Sequence, residues 1–217
     1  MTENAAIMKI SDLRIDYSLK SLDVQDVNSD PISQFQLWFE EAVSAKVLEV
    51  NAMTLSTVRK DGRPNSRIVL LKGVDTGFVF FTNYQSQKGL ELEMNTHAAA
   101  TFFWAELERQ VRVLGKVTKI SSQESDAYFF SRPFSSQIGA WVSPQSQPIP
   151  NREFLEQKEK QLQQELTPDT IQRPEHWGGY RIEADEIEFW QGRPSRLHDR
   201  VLYLKEDNKW KISRLAP

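Results

Sequence analysis

Five short segments of this 217-residue chain carry side chains able to do chemistry. In Arg67-Ile68-Val69-Leu70-Leu71-Lys72, two cations bracket an apolar run. Arginine offers a fork of donors suited to phosphate, and lysine a point charge. The same pattern also describes a buried strand with solvated ends. Residues five apart on an extended chain face opposite ways, so one of the two cations belongs at the strand's end. Ser86-Gln87-Lys88 stands where a helix should start, which makes it an anion site or an ordinary N-cap. Tyr128 and Arg132, four apart on a predicted helix, share a face, and Ser136 follows just beyond Pro133. Phenol, guanidinium and hydroxyl together suit a phosphate ester or form a surface cluster. Ser135–Ser143, followed by Gln145-Ser146, surrounds one large aromatic with polar side chains and lines a pocket or caps a core. In Glu188–Arg200, Trp190 offers a flat face for an aromatic ring. Arg196 and His198 would face one side if the chain there is extended; the plainer reading is a charged hairpin loop.

What is missing narrows the chemistry. Cysteine is absent, which excludes disulfide scaffolds, thiolate metal sites, iron–sulfur clusters and thiol nucleophiles. GxGxxG, GxxxxGK[ST], HExxH and GxSxG do not occur. His97, His176 and His198 have no ligand spacing, and a lone His198-Asp199 pair reads as structural rather than as a metal site. The net charge of −3 lies wholly in residues 1–30, which hold six acids and three bases; residues 31–217 hold 24 of each. Within that neutral body, Arg59–Lys72 carries five bases against one acid, which favours a small anion over a polyanion. The N-terminus lacks the pattern of a signal peptide, and no apolar run approaches the ~20 residues that span a bilayer. These features lead to the expectation of a soluble, cytoplasmic protein.

Several elements must position these groups. Residues 1–30 read as a loose acidic arm with a short helix near Ser11–Tyr17. Asp30-Pro31 starts a helix, with Ile32, Phe35, Trp38, Phe39, Ala42 and Val43 on one apolar face. Ala52–Arg59 and Ser66–Lys72 read as strands around a turn at 60–64, and Phe78–Thr82 as a third. Ser86–Met94 reads as a helix. Ala98–Trp104 and Arg109–Lys119 are strands; in the second, Val111, Val113 and Val117 alternate with Gln110, Arg112 and Lys116. Ser121–Glu124 is a capping box for a helix over Gln123–Ser131. Asn151–Leu166 is a charged helix, and Tyr180–Trp190, Asp199–Lys205 and Lys209–Arg214 are strands. About eight closely spaced strands favour an antiparallel barrel over a parallel sheet.

Together the segments resemble the pyridoxine/pyridoxamine 5′-phosphate oxidase family, FMN enzymes of vitamin B6 metabolism. RIVLLK at 67–72, SRPFSSQIGAWVS at 131–143, IEFWQGRPSRLHDR at 187–200 and WKISRLAP at 210–217 carry the likeness, which runs from about Ser11 to Pro217. It implies a mainly β fold with peripheral helices: an antiparallel, Greek-key split β-barrel binding FMN at a homodimer interface. Residues 1–30 would be a mobile arm or lid. Residues 31–217 would form the FMN-binding domain, including a C-terminal hairpin for dimerisation. By resemblance Arg67, Ile68, Val69, Leu70, Leu71 and Lys72 line the flavin site, with Arg67 and Lys88 on its phosphate. Phe81, Thr82, Gln87, Gln110, Gln145, Ser146, Trp190 and Arg200 complete it, some from the second subunit. Lys72, Tyr128, Arg132 and Ser136 would clamp the substrate phosphate. Arg196, Leu197 and His198 would hold the pyridine ring, with Arg196 and His198 as the catalytic pair, and Arg14 and Tyr17 would belong to the lid. No metal is implied.

The implied reaction is oxidation of pyridoxamine and pyridoxine 5′-phosphates by hydride transfer to flavin, with dioxygen reduced to hydrogen peroxide. Gln87 and Phe81 depart from the arginine and tyrosine often found in the family, and Gln87 removes a cation near the flavin phosphate. The competing readings are another flavin oxidoreductase on the same barrel and a non-catalytic carrier of B6 phosphate or flavin. A nucleic-acid-binding barrel is disfavoured by the neutral body of the chain.

Overall fold

The computed structural model describes residue 10 and residues 16–217. Arg14 and most of the helix expected at Ser11–Tyr17 lie outside them. Helix α1 (Pro31–Ser44) begins as its sequence demands: the Asp30 carboxylate accepts the Ser33 N–H, and proline occupies the first turn. Its apolar stripe buries Phe35 and Trp38. Phe35 meets Phe78 edge-on at 4.8 Å between ring centroids. Burying such a ring is worth roughly 2–3 kcal/mol.

Nine strands follow, all paired antiparallel: β1 (Ala52–Val58), β2 (Pro64–Leu70), β3 (Gly73–Val74), β4 (Phe78–Asn83), β5 (His97–Trp104), β6 (Arg109–Lys119), β7 (Trp177–Gln191), β8 (Asp199–Glu206) and β9 (Lys209–Leu215). The order β2-β1-β5-β6-β7-β4-β3 curls into a half-barrel, with β8 and β9 continuing from β7. β7 is long enough to change partners. Residues 177–182 pair with β4, and residues 186–191 pair with β8. The alternation read in β6 holds: Val111, Val113 and Val117 are buried, and Gln110, Arg112 and Lys116 are not. Asp207 and Asn208, at φ 49° and 61°, make the tight turn between β8 and β9.

The helices sit outside the barrel: α2 (Gln87–Met94), α3 (Ser122–Ser131), α4 (Phe134–Val142) and α5 (Arg152–Glu165). Ser121 and Glu124 form the expected capping box of α3. α4 occupies the segment that reads in the sequence as polar side chains around one large aromatic. Its Ile138 and Val142 pack with Phe129, Ile171 and Trp177 into a small core apart from that of the barrel. α5 buries no residue, in keeping with its charged sequence.

Candidate active site

An open cleft of about 960 Å³ lies between β2, β4 and helices α2, α3 and α4. That is the size of sites for mononucleotide-scale ligands. Of the residues singled out above, Arg67 to Leu70, Lys72, Phe81, Thr82, Gln87, Lys88, Tyr128, Arg132, Ser136, Gln145 and Ser146 line it. Leu71 does not, because its side chain turns into the barrel core. β2 ends at Leu70, so Lys72 sits beyond the strand; its N–H donates to Val79 O at 2.8 Å. That break lets Arg67 and Lys72 share one cleft despite their spacing.

One end of the cleft is built on a buried carboxylate. Glu91 of α2 is fully buried. It accepts from Thr57 Oγ1 (2.5 Å), Asn65 Nδ2 (2.9 Å), Gln87 Nε2 (2.9 Å) and an Arg67 guanidinium nitrogen (3.0 Å). Burial alone would raise its pKa, but these four donors outweigh that and hold it down at about 2. Arg67 also donates to Leu55 O (3.2 Å) and Thr57 Oγ1 (2.5 Å). Lys88, one turn before Glu91, is buried. Its Nζ donates to Thr82 Oγ1 (3.0 Å), Ser86 Oγ (3.2 Å) and Gln145 Oε1 (3.2 Å), none of them a carboxylate. Burial, and then the nearby Arg67 charge, bring its pKa down to about 8. Gly89 allows this approach, since a Cβ there would lie 2.0 Å from Tyr84 O.

The other end is aromatic and cationic. Phe81 and Tyr128 stack at 3.9 Å, and Trp177 lies nearly parallel to both. Arg132 lies over Trp177 at 4.7 Å. One of its terminal guanidinium nitrogens, NH1, is buried without a hydrogen-bond partner among the described residues, and burial lowers the pKa of the group. Arg132 is not within a helix shared with Tyr128: it caps α3 in an extended conformation (φ −78°, ψ 151°). Both nevertheless face the cleft.

The remaining expected residues gather elsewhere. Gln110, Trp190 and Arg200 form one cross-strand row over β6, β7 and β8. Arg200 grips the buried Glu188 through two nitrogens, at 2.8 and 2.9 Å, and Arg112 shares that carboxylate at 3.0 Å. The reading of Arg196 and His198 as two residues of an extended strand is overturned. Pro194–Arg196 is a 3-10 turn, with Ser195 and Arg196 at φ 58° and 61°. Arg196 and Leu197 are exposed. His198 packs on Trp190 (4.7 Å) and accepts the Arg193 N–H through Nδ1 (3.1 Å). Tyr17 covers the edges of both rings, and Glu108 fixes the chain after it by accepting the Ser18 and Leu19 N–H groups. In this chain the row is not part of the cleft wall.

Sequence reasoning missed Glu91, Trp177 and Glu108. An i,i+4 Gln87–Glu91 pair was visible, but a helical glutamate ordinarily reads as solvated.

Residues 39–165 match the family model for pyridoxamine 5′-phosphate oxidase, and residues 177–217 match that for the C-terminal dimerisation region of pyridoxine 5′-phosphate oxidase. The chain belongs to the pyridoxamine 5′-phosphate oxidase family. Pyridoxine/pyridoxamine 5′-phosphate oxidases of Paraburkholderia phytofirmans and Cupriavidus pinatubonensis are 57% and 56% identical to it, over 96% of this chain and 99% of theirs. The crystal structure of PhzG from Burkholderia lata, in complex with tetrahydrophenazine-1-carboxylic acid, superposes with a TM-score of 0.84 at 32% identity, covering 91% of this chain and 100% of that one. A pyridoxamine 5′-phosphate oxidase-related, FMN-binding protein from Nostoc punctiforme shares the fold: TM-score 0.71, 18% identity, 88% of this chain and 100% of that one. The half-barrel is thus the split barrel of this family, whose cofactor is FMN. The cleft fits that group: among the described residues Arg132 keeps a buried nitrogen without a partner, and Lys88 adds a buried positive charge whose three N–H groups meet neutral oxygens and no carboxylate. Among the described residues no helix is long and apolar enough to cross a membrane.

Proposed function

We propose that this protein oxidises pyridoxine 5′-phosphate, and pyridoxamine 5′-phosphate with uptake of water and release of ammonia, to pyridoxal 5′-phosphate. The observation that carries the reading is a single cleft with two separate cationic ends, one around Arg67 and Lys88 and one around Arg132. Two phosphate esters, one on the cofactor and one on the substrate, match two such ends. FMN, when bound, supplies the acceptor for the hydride leaving C4′ and passes the electrons to dioxygen, giving hydrogen peroxide.

The protein's part is binding and orientation. Arg67 holds the flavin phosphate through its free N–H groups, and Lys88, whose own N–H groups are taken by Thr82, Ser86 and Gln145, adds its charge beside it. Lys72, Tyr128, Arg132 and Ser136 hold the substrate phosphate, so that its binding energy fixes the pose of the distant reacting carbon. Gln110, Trp190, Arg196, His198 and Arg200 complete the site from a second protomer, since within one chain they stand apart from the cleft. The working unit is therefore a homodimer. Tyr17 belongs to a lid over that composite site.

Purified protein should show a flavin absorbance spectrum and release peroxide with both B6 phosphates. A yellow protein that binds pyridoxal phosphate and makes no peroxide with either would reduce it to a carrier. Oxidation of nicotinamide cofactors in their place would make it another flavin enzyme.

A further inference from the structure

We infer that Glu91 is a positioning residue for the phosphate end of the cleft, acting through Arg67. The inference rests on the reading that this end takes the flavin phosphate. Beside a site that binds an anion, a buried carboxylate is at first sight the wrong group. Its charge opposes the ligand, and removing it from water is costly. Glu91 is nonetheless fully buried and has two donors on each oxygen: Asn65 and Gln87 on one, Thr57 and Arg67 on the other. A carboxylate so saturated has nothing left to offer a ligand. Its partners come from three elements, β1, β2 and α2, so it locks the helix carrying Lys88 against the strand carrying Arg67.

The effect on Arg67 is specific. A guanidinium has five N–H groups. Two on NH1 go to Leu55 O and Thr57 Oγ1, and one on NH2 goes to Glu91. The two that remain, on Nε and NH2, can meet two oxygens of a phosphate together. Thr57 closes the arrangement by donating to Glu91 while accepting from Arg67. Glu91 thus trades charge for orientation: it cancels the arginine's net charge and fixes which donors are left.

Charge counting and positioning predict opposite signs for Glu91→Gln. Neutralising Glu91 adds net positive charge at this end, so charge alone predicts tighter FMN binding. Positioning predicts weaker binding, because a glutamine amide turns one acceptor of the network into a donor that faces donors. The full-length protein, stripped of flavin, is titrated with FMN and with riboflavin, which lacks the phosphate, and flavin fluorescence is followed. If the wild type does not prefer FMN over riboflavin, the phosphate reading of this end fails whatever Glu91 does. With that preference present, Glu91→Gln is expected to weaken FMN on the order of tenfold and leave riboflavin unchanged. Glu91→Asp should recover part of the loss, and in an Arg67→Ala background the added effect should shrink below about threefold. Unchanged or tighter FMN binding, an equal loss for riboflavin, or an undiminished effect without Arg67 would overturn the inference. Should Glu91→Gln fail to fold, Asn65→Ala decides, since Asn65 touches Glu91 without touching Arg67. A loss of about threefold, confined to FMN, supports the role, and no loss refutes it.

Discussion

The cleft and the β6–β8 row are both rich in arginine, but their cations are partnered differently. On the row, Arg112 and Arg200 share Glu188; beside it, Arg193 and Arg214 share Asp199. In the cleft, among the described residues, Arg67 alone has a carboxylate, while Lys88 is held by neutral oxygens and Arg132 keeps an unpartnered nitrogen. Counting basic residues in the sequence therefore misleads. In the cleft Lys88 and Arg132 lack a carboxylate among the described residues and Arg67 keeps free N–H groups beside its own, whereas the arginines of the row are spent on carboxylates and shape a surface. The row presents aromatic rings and fixed guanidinium planes, which is the face proposed above to complete another protomer's site.

The sharpest way to break this contrast is Arg196→Ala. If the hairpin lies over the reacting ring, turnover falls about a hundredfold while FMN content stays within about twofold of wild type. Normal turnover would remove the hairpin from the site. Lys88→Met tests the other side, with an expected loss of FMN affinity on the order of tenfold at neutral pH. The pH dependence has a definite sign. The unfolded chain keeps the Lys88 proton up to about 10.5 and the folded, flavin-free protein only to about 8. Flavin-free stability therefore gains a contribution as pH rises from about 8 to 10.5, while FMN affinity, which needs the charged amine, declines over the same range. Titrations from pH 7 to 10 should show that decline in the wild type and a flatter profile in Lys88→Met. The smallest effect belongs to Gln87→Arg, which adds an exposed cation beside Glu91. FMN should bind about threefold tighter, with the gain lost at high salt. No gain would mean that Glu91 absorbs the new charge as it absorbs that of Arg67.

Much of the scaffold was legible because its signals are local. Asp30-Pro31, the Ser121–Glu124 box and the valine alternation of β6 each act within a few residues. α4 escaped notice because Pro133 gives it no side-chain cap, although Phe134, Ile138, Trp141 and Val142 keep helical spacing. The resemblance named residues that the structure gathers in one cleft, yet the physical basis of that cleft was not legible. Glu91 joins Thr57, Asn65 and Arg67 only once three elements meet. For the hairpin, the argument from extended alternation failed because two consecutive non-glycine residues adopt positive φ at Ser195-Arg196. Neither residue type announces that conformation.

The tether at Glu108 has a consequence for the order in which the molecule assembles. Its carboxylate takes amides 90 and 89 residues away in sequence, and Asp199 takes the Leu22 amide from 177 residues away. Glu108 is itself in a left-handed turn (φ 54°), and its carbonyl accepts the Gly192 N–H at the end of β7. The receptor for residues 18–22 therefore exists only after β6, β7 and β8 have paired. Closing so long a loop earlier would cost chain entropy with nothing to hold it. Residues 18–22 thus dock onto strands that are already paired, and their release would uncover Leu22, which is buried in the barrel core.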